Sequence, residues 1–152
     1  MKYKLIHAEF FPETGESEVA IENKNGIFIG LAQCHPEEQH PSKFAGCRIA
    51  EVRAHIQAAQ YEKKILNYQI KELQNFEKIL KGLKNYNPNS LEARRLRRRI
   101  HELKEEKNKK NNLILSMKRS LKKSMDERDE LIKKHFTLKD VMKDQYHKDK
   151  SE

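Results

Sequence analysis

The spacing of apolar residues divides the chain into two parts with different periods. In the first third, apolar and polar residues alternate at every second position, as in strands with one buried face. Two such faces stand out, made of Val19, Ile21 and of Ile27, Ile29, Leu31. The stretches PETG and NKNG between these runs contain residues that favour hairpin turns. The sequence therefore predicts a three-stranded antiparallel meander. We expect the start of the next helix to cover its apolar face, because three short strands are not stable alone.

The second part has helical spacing. From about Gly46 to Asn85 no proline occurs, and apolar residues recur in steps of three and four, which predicts one long helix. Its predicted seam consists of Ile49, Val52, Ile56, Ala59, Leu66, Ile70, Leu73 and Leu80. Lys63 and Glu77 interrupt this seam. A second apolar stripe lies beside it over the later turns and consists of Ile65, Phe76, Ile79 and Leu83.

The stretch NYNPNS, near residues 85–90, ends this helix, and a second helical pattern follows. Asn89 with Glu92 would form a capping box at its start, and Ser90 is the alternative cap. The second predicted seam consists of Leu96, Ile100, Leu103, Ile114, Met117, Leu121, Leu131 and His135. Because a short loop joins the two helices, we expect them to be antiparallel neighbours.

A polar layer is predicted halfway along this helical pair. The apolar register of the second helix lapses at KEEKNKKNN, and Lys107 and Lys110 would fall near Lys63 of the first helix. Polar residues in the seam of a coiled coil weaken it but help to fix its register and its choice of partner.

The predicted fold class is α+β, a small three-stranded antiparallel β-meander followed by a long antiparallel helical hairpin, or coiled coil. The meander domain covers residues 1–45 and the hairpin covers residues 46–136. Thr137 is predicted to cap a short last helix, which leads into a charged tail over residues 137–152.

Charge is distributed unevenly between these segments. Residues 1–45 contain four Lys/Arg against seven Asp/Glu, and the remaining 107 residues contain 28 against 16. A basic balance of this kind indicates a nucleic acid, an acidic protein or an anionic lipid as partner. No apolar run is long enough to span a membrane, and the N-terminus has no apolar signal-peptide core. With only two cysteines, no disulfide framework is indicated. We therefore expect a cytoplasmic protein without membrane association.

The stretch EARRLRRRIHELKEEK concentrates arginines at the start of the second helix. In a hairpin, these arginines would meet the lysines at the end of the first helix. The resulting basic tip consists of Lys78, Lys81, Lys84, Arg94, Arg95, Arg97, Arg98 and Arg99. One interpretation is a solvated face held by helix pairs. The other is an anion-binding surface, because like charges four residues apart and cations near a helix N-terminus are both unfavourable.

Three kinds of partner fit such a tip. Phosphate groups of a nucleic acid would bind it with strong salt dependence and without sequence preference. An acidic protein surface would offer carboxylates to the arginine forks. A second copy of the chain would offer the acidic run DERDE, at residues 126–130, in a homo-oligomer.

Candidate chemistry elsewhere in the sequence is sparse. Cys34, His35, His40 and Cys47 are residues of the types that bind zinc, but their spacing lacks the usual C-x-x-C pair. The alternative is that the two cysteines are small core residues. Glycine-rich phosphate loops, H-E-x-x-H and G-x-S-x-G are all missing from the sequence. We therefore expect a protein that is not an enzyme and that uses no cofactor.

The segment GLAQCHPEEQHPSKFAGCRIAEVRA, residues 30–54, resembles a pattern found in small uncharacterised proteins of Gram-positive bacteria and their phages. The matching residues are Gly30, Ala32, Cys34, Pro36, Glu37, Glu38, Phe44, Gly46, Ile49, Ala50, Arg53 and Ala54. The chain departs from the pattern at His40 and Pro41, where an acidic-aromatic pair is usual. The resemblance implies a short meander followed by a helix, often phage-encoded, and implies no activity or binding residues.

These observations predict an accessory or inhibitor protein of a phage or mobile element, located in the host cytoplasm. Its basic hairpin would dock on a nucleic acid or on a host protein that handles one. The alternative is a self-assembling structural coiled coil whose charges pair between subunits.

Overall fold

The computed structural model describes the backbone of residues 2–33 and 43–139 and the side chains of residues 2–33 and 46–127. The elements in chain order are β1 (Lys4–Phe11), β2 (Glu16–Asn23), β3 (Gly26–Gln33), α1 (Lys43–Lys81) and α2 (Leu91–Lys139). The strands pair antiparallel in the order β1-β2-β3. The predicted α+β fold, an antiparallel meander followed by a helical hairpin, is therefore confirmed.

The described residues fall into two compact units. One, which we name the sheet unit, contains the three strands, α1 up to Gln57 and α2 from Met117 onward. The other, the hairpin unit, contains Ala58–Ser116. α2 continues through Thr137, so the prediction that Thr137 begins a separate helix is wrong. Residues 140–152, the rest of that predicted segment, lie outside the described residues.

The core of the sheet unit lies between the central strand and α1. Val19 and Ile21 of β2 are fully buried, so the face predicted for this strand is confirmed. Ile49 and Ala54 of α1 are buried in the same unit. The prediction that the start of this helix covers the sheet is therefore correct.

The face of β3 that α1 covers differs from the predicted one. Ile27, Ile29 and Leu31 are all exposed, whereas Gly30 and Ala32, on the opposite face of the strand, are buried. The alternation predicted from the sequence is correct, but the helix packs on the side with the small residues. This side allows a closer approach of the helix to the sheet than a row of branched side chains would allow.

Two glycines carry this close packing. A Cβ atom on Gly30 would overlap the backbone of Ala50 and Ala54, so the α1 backbone lies directly against β3. A Cβ atom on Gly46 would likewise overlap the hydroxyl of Ser17, which is buried. The helix and the sheet are therefore held together by backbone-to-backbone contact as well as by side chains.

Arg53 and Tyr3 fasten the edges of the sheet unit. Arg53 donates a hydrogen bond from Nη1 to the carbonyl oxygen of Leu31 over 2.7 Å, and its Nη2 lies 3.8 Å from the sulfur of Met125 in α2. The ring of Tyr3 packs edge-on against His55 of α1 with the ring centroids 4.3 Å apart. Both edges of the sheet are thereby attached to helical residues.

The two hairpin turns form where the sequence predicts them, although the second has different geometry. In PETG, the amide of Gly15 donates to the carbonyl oxygen of Phe11 over 2.8 Å. In NKNG, the loop residues are Lys24 and Asn25, and Gly26 is already paired with Asn23. Among the described residues only glycines have positive φ, so this is not the type I′ turn that Asn-Gly usually forms. Gly26 instead has a φ of 135°, a backbone conformation that only glycine adopts readily, at the first position of β3.

The core of the hairpin unit is a narrow apolar seam between its two helical segments. Leu66 and Ile70 of α1 pack against Leu103 of α2, with Leu73 at the side of this cluster. Further buried residues of the same seam are Ala59, Ala93, Ile100 and Ile114. The seam predicted for α1 and α2 is therefore confirmed over these residues, except that Ala93 was not part of the prediction.

The polar layer within this seam is an ion pair. Nζ of Lys110 lies 2.5 Å from Oε2 of Glu62, whose side chain is almost fully buried. Lys110 was predicted to lie in such a layer, but its partner is Glu62 and not the neighbouring Lys63. An opposite charge is the physically required partner, because two buried ammonium groups would repel each other without compensation.

The loop between the helices ends on Ser90. The Oγ atom of Ser90 accepts a hydrogen bond from the amide of Ala93 over 3.3 Å, and its carbonyl accepts from the amide of Arg94. Ser90 is therefore the N-cap of α2, and the predicted capping box of Asn89 with Glu92 is wrong. The amide of Asn89 instead donates to the Oδ1 atom of Asn87 within the loop.

Candidate functional site

The end of the hairpin unit where the chain reverses is strongly basic. Eight cationic residues lie in the loop or in the adjoining turns of the two helices, and all of them are exposed. This group is the basic tip predicted from the sequence. We name it the basic end, and it consists of Lys78, Lys81, Lys84, Arg94, Arg95, Arg97, Arg98 and Arg99. The structure therefore brings all eight predicted residues into one compact unit and leaves their charged groups accessible to solvent.

The arginines cover the solvent side of the first turns of α2. Ala93 and Ile100 are buried in the seam, and Leu96 is half-buried between them. All positions from residue 94 to residue 99 except Leu96 are exposed arginines. The cations consequently point in several directions around the helix and do not form a single stripe.

Three of the eight residues have partners within the unit. Lys81 lies 3.6 Å from the carboxylate of Glu77, and Arg99 lies 3.5 Å from that of Glu102. Arg97 donates a hydrogen bond to the carbonyl oxygen of Pro88 over 2.7 Å, which attaches the loop to α2. The two ion pairs lie at the surface and stabilise their helices by no more than a few tenths of a kcal/mol each.

The other five side chains form no ion pair within residues 2–33 and 46–127. They are Lys78, Lys84, Arg94, Arg95 and Arg98. Arg94 and Arg98 are four residues apart on one helix, where like charges repel. Positive charge in the first turns of α2 also opposes the helix dipole. The basic end therefore gains little from its own chain and remains available to an anion.

The whole hairpin unit shares this charge. Ala58–Ser116 contains 15 Lys/Arg against seven Asp/Glu, a net charge of +8, whereas the complete chain has +9. A high charge density on one small unit produces a positive potential that attracts anions before contact.

The candidate zinc ligands are only partly within the described residues. Cys47 is a free, half-buried thiol in α1, and Cys34, His35 and His40 lie outside the described part of the chain. Across the described residues, no group of three or more His, Cys, Asp or Glu side chains is placed to hold a metal ion. The zinc alternative for these four residues thus stays a prediction.

Two features of the hairpin unit were not found from the sequence. Glu62 was not recognised as the partner of the polar layer, although it lies on the same helix face as Leu66. Tyr68 was not assigned to the second apolar stripe, although its spacing to Ile79 matches that of Ile65 to Phe76. In both cases helical spacing alone carried the signal.

Within the described residues, no helix combines the length and the apolar character needed to cross a membrane. No family model, curated protein or solved structure matches the chain. The resemblance carried by residues 30–54 stays a prediction, and the functional argument depends on the geometry and charge of the basic end.

Proposed function

We propose that the protein is a non-enzymatic accessory protein that docks on nucleic acid through the basic end of its helical hairpin. The observation that carries this proposal is the set of five exposed cations without an ion pair among the described residues, at the point where the chain reverses. Phosphate groups would neutralise these cations and release bound counterions, which is the main source of affinity in sequence-independent nucleic-acid binding.

The distribution of the arginines favours nucleic acid over an acidic protein surface. A flat protein surface would engage one side of α2, so only a stripe of its arginines could be used. Phosphates follow a groove or a strand on more than one side of an inserted helix end, and this suits cations that point in several directions. Arginine also binds phosphate oxygens in a bidentate manner.

The resemblance of residues 30–54 suggests the biological setting. Because that pattern occurs in proteins of Gram-positive bacteria and their phages, we propose an accessory or inhibitor role for a phage or mobile element in the host cytoplasm. Such a protein would act on the host nucleic acid or on a complex formed on it.

The test replaces Arg94, Arg95, Arg97, Arg98 and Arg99 together by Gln. Binding of a labelled 30-base-pair duplex and of a single-stranded RNA is measured by fluorescence anisotropy at about 100 mM salt. We expect the substitution to weaken binding at least about 30-fold, because it removes Arg94, Arg95 and Arg98, three of the five cations that form no ion pair among the described residues. The matched control changes five exposed lysines elsewhere on α2 to Gln, namely Lys104, Lys109, Lys118, Lys122 and Lys123. This control removes the same charge, and its affinity should decrease less than threefold.

Equal loss of affinity in both variants would mean that only the overall charge matters, and the basic end would have no special role. An unchanged affinity in the arginine variant would contradict the proposal directly. The alternative function, a self-assembling coiled coil, makes a different prediction. In that case, light scattering would show a high molecular mass at low salt that the arginine variant abolishes, with no binding of either nucleic acid.

A further inference from the structure

α1 carries a second apolar face in the hairpin unit, separate from its seam with α2. We name this face the lateral stripe, and it consists of Ile65, Tyr68, Phe76, Ile79 and, directly after the helix, Leu83. Tyr68 is 64% exposed, Phe76 52%, Ile79 65% and Leu83 56%. A single exposed apolar residue is ordinary, but a row of this length on one helix indicates an interaction surface.

The spacing of the lateral stripe shows that it is one continuous face. Ile65 and Phe76 are eleven residues apart, as are Tyr68 and Ile79. Eleven residues complete slightly more than three turns of an α-helix, so these side chains align along the helix axis. The stripe lies about 120° around the helix from the seam residues Leu66 and Ile70. Packing between α1 and α2 therefore leaves it uncovered within the hairpin unit.

Charged residues border this stripe on one side. Lys64, Lys71 and Lys78 are exposed and follow one another at seven-residue steps. Among the described residues, none of these three lysines forms an ion pair. Glu72 is the one carboxylate within the stripe, and its hydrogen bond with Tyr68 raises the pKa of that tyrosine. The surface is therefore an apolar strip with a positive border.

This charge pattern selects among the occupants of such a surface. A second copy of the chain, packed antiparallel on the stripe, would place its own lysine border against Lys64, Lys71 and Lys78. Those like charges would repel, and two hairpin units of net charge +8 would come together. A phosphate backbone could contact the lysines but would leave Ile79 and Leu83 without apolar contacts. An amphipathic helix with acidic residues beside its apolar face satisfies both the stripe and its border.

We infer that the lateral stripe is a docking surface for an acidic amphipathic helix of a partner protein. From Ile65 to Leu83 the stripe extends about 27 Å, which matches five turns of a partner helix. Its apolar face covers the aromatic and aliphatic side chains, and its carboxylates pair with the lysine border. This surface shares only Lys78 with the basic end and otherwise lies along the side of α1, so one hairpin unit can hold a nucleic acid at its end and a protein along its side.

The test uses two designed helical peptides of 22 residues with the same apolar seam. One carries glutamate at the positions beside the seam, and the other carries lysine there. Binding to the full chain is measured by fluorescence anisotropy. We expect the acidic peptide to bind at least tenfold more tightly than the basic one. The substitution of Phe76 and Ile79 together by Gln should weaken binding of the acidic peptide at least tenfold, because both side chains are at the centre of the stripe.

The matched control replaces two exposed leucines of α2, Leu113 and Leu115, by Gln and should change the affinity less than twofold. A second variant, with Lys64 and Lys71 changed to Gln, should reduce the preference for the acidic peptide. The five-arginine variant of the basic end should retain most of the peptide binding, so failure of the nucleic-acid proposal would be seen separately.

Several outcomes would overturn the inference. One is equal affinity for both peptides, and another is acidic-peptide binding that the Phe76 and Ile79 substitutions leave unchanged. A third is a dimer in light scattering that these two substitutions convert to a monomer, which would identify a second copy as the occupant. A fourth is a comparable loss of duplex affinity in the same variant, which would assign the stripe to nucleic acid.

Discussion

At the scale of single residues, Gly30 determines how closely α1 packs against the sheet. The Gly30→Ala substitution places a methyl group where the backbone of Ala50 lies, and neither a strand nor a helix backbone can move aside easily. We expect the free energy of unfolding to decrease by about 3 kcal/mol, as for other overpacked core sites. Urea unfolding followed by circular dichroism measures this change.

The control for this substitution is Gly82→Ala. A methyl group at Gly82 would meet only the carbonyl oxygens of Ile79 and Lys78, at 3.4 and 3.8 Å, so we expect a change within about 0.5 kcal/mol. A Gly30→Ala protein as stable as the Gly82→Ala protein would show that α1 is not in backbone contact with β3.

Residue-scale details were the least predictable from the sequence. Asn89 and Ser90 are both good N-cap residues, and only the hydrogen bond from the Ala93 amide distinguishes them. The Asn-Gly pair predicted a turn correctly, but the chain reverses one residue earlier, at Lys24 and Asn25. Local preferences indicate where a turn or a cap occurs, whereas its register depends on contacts that the sequence does not display.

At the scale of elements, the polar layer between α1 and α2 determines register within the hairpin unit. Glu62 is nearly buried, and Lys110 is its cation across the seam. We expect Lys110→Leu to destabilise the protein by about 2 kcal/mol, because a buried carboxylate loses this cation. This is less than the roughly 3–5 kcal/mol expected for a fully buried pair, since the Lys110 side chain is 25% exposed.

The double substitution Glu62→Leu with Lys110→Leu should recover most of that loss, because an apolar pair of similar volume needs no charge compensation. Thermal unfolding of the three proteins gives the coupling energy between the two sites. If the double variant were as unstable as Lys110→Leu alone, the ion pair would not be the reason for the destabilisation.

Strand and helix periods were predictable, but the side on which the elements pack was predictable only in part. Val19 and Ile21 are large, lie on the central strand and are buried as expected. On the edge strand, Ile27 and Ile29 looked like the buried side, yet α1 packs on Gly30. An alternating pattern defines two faces, and the choice between them depends on how closely the next element can approach.

At the scale of the whole molecule, charge is concentrated where the structure forms the hairpin unit. The sequence predicted the basic end because five arginines in six positions cannot all be buried or paired locally. It could not predict which of the eight cations would have partners, because the pairs of Lys81 and Arg99 depend on side-chain geometry. Among the described residues, the five cations that form no ion pair are the ones whose charge is left for an anion.

The salt dependence of nucleic-acid binding tests how many of these cations act together. If the five residues without ion pairs each neutralise one phosphate of a duplex, log K should decrease with log salt concentration with a slope of about −4.5. Affinity would then decrease about 500-fold between 50 and 200 mM salt. The variant with all five arginines changed to Gln retains Lys78 and Lys84 of this set, so its slope should fall to about −2. The five-lysine control should keep the slope of the unmodified protein. Every phosphate that an arginine of the basic end neutralises must release counterions from the duplex. A slope near zero, or one that the arginine substitutions leave unchanged, would therefore mean that phosphates do not bind at the basic end.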